Sequence, residues 1–254
     1  MKYNKDTKMW ESKYWHPALT TDAVVFGFDK NETTLNILLV KRGKTKPGET
    51  PAFEGCWALP GGFLQKDETT DECVLRELSE ETYVKLFDKE DGIEPVFKEQ
   101  LKTFSKRNRD PREFVVTVAY YALVKKNAYR IHGGDDAVEA KWFSIDNLPQ
   151  NLAFDHSEII DLAISTLREK VHFSPICFDL LDETFTLAEL KSVYDIILGT
   201  ELDRGNFRSK MIRLAYIKPT GKKDNGHPYR SANFYTFDKE KYLQEKQKDR
   251  LLIF

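Results

Sequence analysis

Cysteine is scarce in this chain of 254 residues: Cys56, Cys73 and Cys177 stand far apart, with no C-x-x-C pair. That excludes a disulfide scaffold and the common zinc spacings, and implies reduced thiols. Histidine is equally sparse, five residues without a metal-ligand pattern. Long apolar runs are missing too. No segment reaches the roughly 18 apolar residues of a membrane span, and Met1–Thr20 has no apolar run after a basic start. The expectation is a cytoplasmic protein without membrane contact. Net charge is small, -2 from 39 basic and 41 acidic side chains, but it hides an asymmetry. Arg204, Arg208, Lys210, Arg213, Lys218, Lys222, Lys223 and Arg230 are opposed within their stretch only by Asp224. Such a block is either a solvated face or the footprint of a polyanion-binding surface.

The length allows one large domain or two modest ones. Asp22–Phe28 and Leu35–Arg42 read as strands joined by a polar turn, followed by a Gly/Pro/Lys-rich loop from Gly43 to Trp57. Thr69–Thr82 has helical spacing, with Val74, Leu75 and Leu78 on one face. Pro95–Phe104, Glu113–Val124 and Ala137–Ile145 read as strands, and Phe154–Val171 as a helix. Mixed elements without regular alternation favour an α+β domain. After Phe173-Ser174-Pro175 the texture changes. Thr186 and Glu189 form a capping-box pattern ahead of a helix that Gly199 stops. A second helix spans about Arg204–Ala215, and Tyr216–Lys218 and Asn233–Phe237 read as strands flanking a basic loop, Pro219–Ser231. Helix, turn, helix and hairpin outline a winged helix. The expected division is an α+β domain over 1–170 and a winged helix over 171–254.

The most informative stretch runs from Gly61-Gly62 to Val84. Glu77, Glu80 and Glu81 stand at i, i+3 and i+4 and share one helical face. They repel one another there, and they sit where the helix dipole disfavours negative charge. Fold stability does not select that arrangement; the three glutamates alone are either a solvated acidic face or a site for a hard divalent cation wanting oxygen ligands. The full spacing resembles the Nudix box, G-x5-E-x7-R-E-U-x-E-E-x-G-U with U aliphatic, read here on Gly62, Glu68, Arg76, Glu77, Leu78, Glu80, Glu81 and Val84. The box's last glycine is Tyr83 here, at a helix end where φ > 0 costs a tyrosine about 1–2 kcal/mol.

The resemblance implies a Nudix α/β/α sandwich that hydrolyses a nucleoside diphosphate derivative with Mg2+ or Mn2+. Glu77, Glu80 and Glu81 would ligate the metal with a carbonyl of Gly61-Gly62, and Arg76 would hold them by ion pairing, with Glu68 its first partner. The general base would be Glu81 or an acid outside the box. Arg42, at a strand end, is either a phosphate contact or a solvated arginine. The segment Arg109-Asp110-Pro111-Arg112 resembles the ADP-ribose branch of the superfamily, and implies that Arg109 and Arg112 bind substrate. It can also be an ordinary turn broken at Asp110-Pro111.

Phe154-Asp155-His156, Phe185-Thr186-Leu187, Asn206-Phe207-Arg208 and Ala232…Tyr235…Phe237 follow in an order similar to that of the Nudix-related transcriptional regulators. That resemblance implies a homodimer binding duplex DNA, with the Nudix domain sensing ADP-ribose or a sugar. Asn206, Lys210 and Arg213 share a face of their helix, and Lys222, Lys223 and Arg230 would serve phosphates from the wing. The same surface would also suit dimerisation or protein contact.

Overall fold

The chain is described by a computed structural model over residues 2–6, 8–12, 14–44, 52–84, 98–126, 137–224 and 232–246. Arg230 and the start of the expected Pro95–Phe104 strand lie outside the described residues.

A short antiparallel hairpin, β1 (Lys2–Asn4) and β2 (Met9–Glu11), precedes the main sheet. That sheet is mixed. Its strands are β3 (Ala18–Asp29), β4 (Thr34–Arg42), β5 (Trp57–Ala58), β6 (Gly61–Phe63), β7 (Lys98–Phe104), β8 (Val115–Val124) and β9 (Ala137–Ser144). The order is β5-β4-β3-β8-β7, with β6 also on β3 and β9 also on β4. β3 and β8 run parallel from Ala18 opposite Val115 to Gly27 opposite Val124.

β3 is nearly all apolar because both of its faces are covered. Ala23 and Val25 pack under α1 (Thr70–Thr82) with Val74 and Leu78, while Val24, Phe26 and Phe28 meet Ile159, Ile160 and Ala163 of α2 (His156–Lys170). The result is an α/β/α sandwich. Thr69 caps α1 through a capping box with Glu72, and Tyr83 ends it in the left-handed region at φ 59°.

A short 3-10 turn, Ile176–Leu180, leads to β10 (Thr184–Thr186), α3 (Leu187–Leu198), α4 (Arg204–Arg213), β11 (Ile217–Asp224), β12 (Ala232–Phe237) and α5 (Lys239–Lys246). The three strands form a sheet in the order β10-β12-β11. α3 has both its capping box and a left-handed Gly199 at its end. Here the structure departs from the sequence reading. The basic loop expected from Pro219 is strand as far as Asp224, with a register shift between Pro219 and Lys223 that accommodates the proline. β10 is too short to show a period, and α5 buries only Tyr242, leaving no apolar stripe to read. One hydrophobic cluster joins the two parts: Leu167 and Val171 share it with Phe185, Leu190, Tyr194 and Phe207.

Tyr83→Gly should stabilise the protein by about 1 kcal/mol, since glycine occupies the left-handed cap without the steric cost of a Cβ. Urea denaturation of the two proteins measures it.

Candidate active site

A cleft of about 470 Å³ opens at the end of the sheet where β6, the C-terminal half of α1 and the start of α2 meet. Among its lining residues are Asp22, Arg42, Gly61, Glu77, Glu81 and Arg112. Two glycines let the helix come this close to β6. A Cβ on Gly61 would fall 2.1 Å from the Thr21 carbonyl oxygen, and one on Gly62 would fall 2.4 Å from the Glu77 carboxyl. At Gly61 the clash is with backbone and leaves no room for a side chain, whereas at Gly62 a Cβ would have to push the Glu77 carboxyl aside.

The carboxylates of α1 occupy different surroundings. Glu81 is part-buried against β6, and its Oε2 accepts the Gly61 N–H at 2.9 Å. Burial pushes its carboxyl up to about 8, opposed only in part by that hydrogen bond and by Arg42. Burial also raises the Glu77 carboxyl, although Arg76 holds it at 2.7 Å. Glu80 does not line the cleft: it is half-exposed and takes a bond from Arg76 at 2.9 Å. Arg76 is the hub. It also donates from Nε and Nη2 to Glu68 at 3.0 and 2.7 Å, and to the Phe63 carbonyl. These bonds hold Glu68 down at about 2 and push the arginine's own proton affinity up.

The other walls are basic and aromatic. Arg42, at the end of β4, donates to the Ala52 carbonyl and lies 5.0 Å from the centre of the Phe154 ring. Burial, and then Arg112, lower its proton affinity. Arg112 grips Asp110 with Nε and Nη2 and lies 5.7 Å from Phe154 and 5.8 Å from Phe63. Arg109 also reaches the cleft, but its guanidinium is buried and forked onto Asp155 at 2.7–3.1 Å, with Asp22 at 3.5 Å. Its main engagement is therefore structural. Behind it, His156 accepts the Leu59 N–H on Nδ1 at 2.8 Å, and burial lowers the proton affinity of the imidazole.

Glu77, Glu81, Gly61, Arg42, Arg109 and Arg112 thus reach one cleft, while Arg76, Glu68 and Glu80 stand behind it. Among the described residues, no three His, Cys, Asp or Glu side chains are already gathered as a metal cage. The donor set still suits a hard cation: Glu77, Glu81 and Gly61 bring oxygen donors to one cleft. Asp22, Phe63 and Phe154 were not expected from the sequence to line the site. Their signal is tertiary, because β3, β6 and the entry to α2 meet only in the fold.

In the second part, Phe207 and Met211 turn α4 onto its core, and Asn206, Lys210 and Arg213 lie exposed. Lys222 and Lys223 are exposed on β11.

Residues 17–163 match the family model of the NUDIX domain, and residues 177–237 that of the NrtR DNA-binding winged helix domain. The chain belongs to the Nudix family. Over 235 residues, 91% of its length, this Nudix protein is 32% identical to the ADPR responsive transcriptional repressor NtrR of Acinetobacter baylyi, covering 86% of that chain. It is 40% identical over 147 residues to the ADP-ribose pyrophosphatase of Methanocaldococcus jannaschii, across 58% of this chain and 73% of that enzyme. NrtR of Shewanella oneidensis, solved in complex with a 27mer DNA, is similar at 33% identity and a TM-score of 0.70, over 88% of this chain and 94% of that one. The NUDIX domain of that protein has also been solved with ADP ribose, at 32% identity and a TM-score of 0.51, over 66% and 99% of the two chains.

Two outcomes follow from the cleft. Gly62→Ala should displace the Glu77 carboxyl and weaken catalysis or divalent-cation binding by about 10²-fold, as misplacement near 1 Å does; Mn2+ titration and turnover assays measure it. The second concerns pH. The Glu81 carboxyl titrates near 4.5 in an unfolded chain and at about 8 in the fold. Between those values the folded state keeps a proton that the unfolded state has lost. Stability of the metal-free protein should therefore fall as pH rises through that window and level off above it. Thermal melts in chelator should show this slope, and Glu81→Gln should lack it.

Proposed function

We propose that this Nudix protein hydrolyses the diphosphate of a nucleoside diphosphate derivative, foremost ADP-ribose, to AMP and ribose 5-phosphate, with Mg2+ or Mn2+. The observation that carries this reading is the pairing of two walls in one cleft: Glu77 and Glu81 on one, Arg42 and Arg112 beside aromatic rings on another. The likeness to an ADP-ribose pyrophosphatase over 58% of the chain supports the substrate class. A divalent cation would supply activation of water and neutralisation of the charge that develops on the diphosphate. Glu77, Glu81 and the Gly61 carbonyl would hold it, and Arg76, tied to Glu68 and Glu80, would keep those glutamates in place; Glu80, expected from the spacing to be a third ligand, stands outside the cleft. Arg42 and Arg112, held over the rings of Phe154 and Phe63, would orient the phosphates. Glu81 would take the proton of the attacking water. The products leave as two phosphomonoesters, one oxygen coming from water.

A second reading accompanies the first: a ligand-responsive regulator whose winged helix binds duplex DNA as a homodimer. The exposed Asn206, Lys210 and Arg213 on α4, beside Lys222 and Lys223, support it. So does the likeness to a repressor over 91% of the chain. α2 is common to both parts. Its first turn borders the cleft, and near its other end Arg168 donates to the Ile197 carbonyl of α3 at 3.0 Å. A ligand would act on DNA binding by favouring one arrangement of that shared helix.

Pure protein with Mg2+ and ADP-ribose should release AMP, and Glu81→Gln should lower kcat by about 10²–10⁴-fold. Full turnover in EDTA would refute the hydrolytic reading. For the second, fluorescence anisotropy with duplex DNA should give binding that ADP-ribose changes. Lys222→Ala or Lys223→Ala should flatten the salt slope by about one unit, while Arg213→Ala should cost about 1–3 kcal/mol at the preferred site and relax its specificity. No binding to any duplex at low salt would remove the DNA role.

A further inference from the structure

Between β5 and β6 the chain enters the cleft through Leu59-Pro60-Gly61. Pro60 has no N–H, and its carbonyl accepts from Ala23 at 2.9 Å. The two remaining N–H groups both end on side chains. Leu59 donates to Nδ1 of His156 at 2.8 Å, and Gly61 donates to Oε2 of Glu81 at 2.9 Å. His156, the first residue of α2, is 2% exposed. An imidazole that accepts on Nδ1 carries its proton on Nε2, which faces Oδ1 of Asp22 at 3.5 Å. Asp22 in turn lies 3.5 Å from the buried Arg109 guanidinium. The ring is also braced by Phe154, centroid to centroid at 5.2 Å.

We propose that His156 is a positioning residue: it places Leu59-Pro60-Gly61, and through the Gly61 N–H it places the Glu81 carboxylate. The segment between the two N–H groups is short and tethered: the Pro60 carbonyl is held by the Ala23 N–H, and Gly61 lies against the Thr21 carbonyl with no room for a Cβ. His156 acts on the reaction without touching the reacting atoms. Its two nitrogens have separable tasks, Nδ1 toward Leu59 and Nε2 toward Asp22.

Two substitutions separate them. His156→Asn puts an amide oxygen where Nδ1 accepts and gives up the reach to Asp22. His156→Gln reaches toward Asp22 and leaves the Leu59 N–H without its acceptor. With Mn2+ as the probe, calorimetry should show binding weakened about tenfold or more in His156→Gln, with kcat for ADP-ribose lowered about 10²-fold at little change in KM. His156→Asn should stay within about threefold of the wild type in both. A merely structural role would move both variants alike, and that result, or a rise in KM at unchanged kcat, would overturn the proposal. Should His156→Gln fail to fold, His156→Asn decides: near wild-type Mn2+ binding supports the proposal, and a folded variant that has lost it overturns it. Hydrogen exchange on the wild type needs no variant. Mg2+ should slow the Leu59 and Gly61 amides together, and slowing of Gly61 alone would overturn the coupling. The inference rests on the metal-dependent reading above. A wild type that neither binds Mn2+ nor hydrolyses ADP-ribose ends that reading, whereas a wild type that does both, with indistinguishable variants, ends only this one.

Discussion

The buried guanidinium of Arg109 is the constraint around which the cleft is built. Asp22 on β3 and Asp155 at the head of α2 are both nearly excluded from water. Two carboxylates in that position are tolerable only beside a cation that cannot shed its proton, and arginine is that cation. Its fork on Asp155 fixes the start of α2, and its approach to Asp22 fixes the middle of β3. Removing one partner of such a pair costs about 3–5 kcal/mol, because the other is left buried and unpaired. The loop before β8, the central strand and the second helix are therefore held by one side chain.

A division of labour among the arginines follows. Sequence spacing puts Arg109 and Arg112 in one motif, and both were expected to meet substrate. Arg109 is 7% exposed and forked inward onto Asp155, whereas Arg112 is only part-buried beside Phe63 and Phe154. Arg42 joins Arg112 on the same ring from the end of β4. The glutamates divide in a similar way. Glu77 and Glu81 face the cleft, and Glu80 and Glu68 are held by Arg76. A single helical face in the sequence becomes two functional layers once the helix lies against β6.

α2 gives the molecule its continuity. Ile159, Ile160 and Ala163 close one face of the main sheet, and Leu167 and Val171 extend the same cluster to α3 and α4. The exposed, basic α4 and the cleft are thus joined through one packed interior.

The sequence by itself determined the elements whose signal is local. Continuous apolar runs placed the strands β3, β4 and β8, which are buried on both faces, and helical spacing placed α1, α2 and α3, each of which buries one stripe. The box spacing located the acidic helix, and the position of Tyr83 foretold a left-handed helix end, since chain geometry there depends on a few neighbouring residues. β10 and α5 stayed illegible: three residues show no period, and one buried tyrosine makes no stripe. The cleft itself was decided by tertiary structure alone. Asp22, His156 and Phe154 acquire partners only when β3, β6 and α2 converge, 97 residues separating Leu59 from the imidazole that accepts its N–H. The separate surroundings of Glu77, Glu80 and Glu81 come from the same source, because burial and charge neighbours belong to the fold rather than to the spacing along the chain.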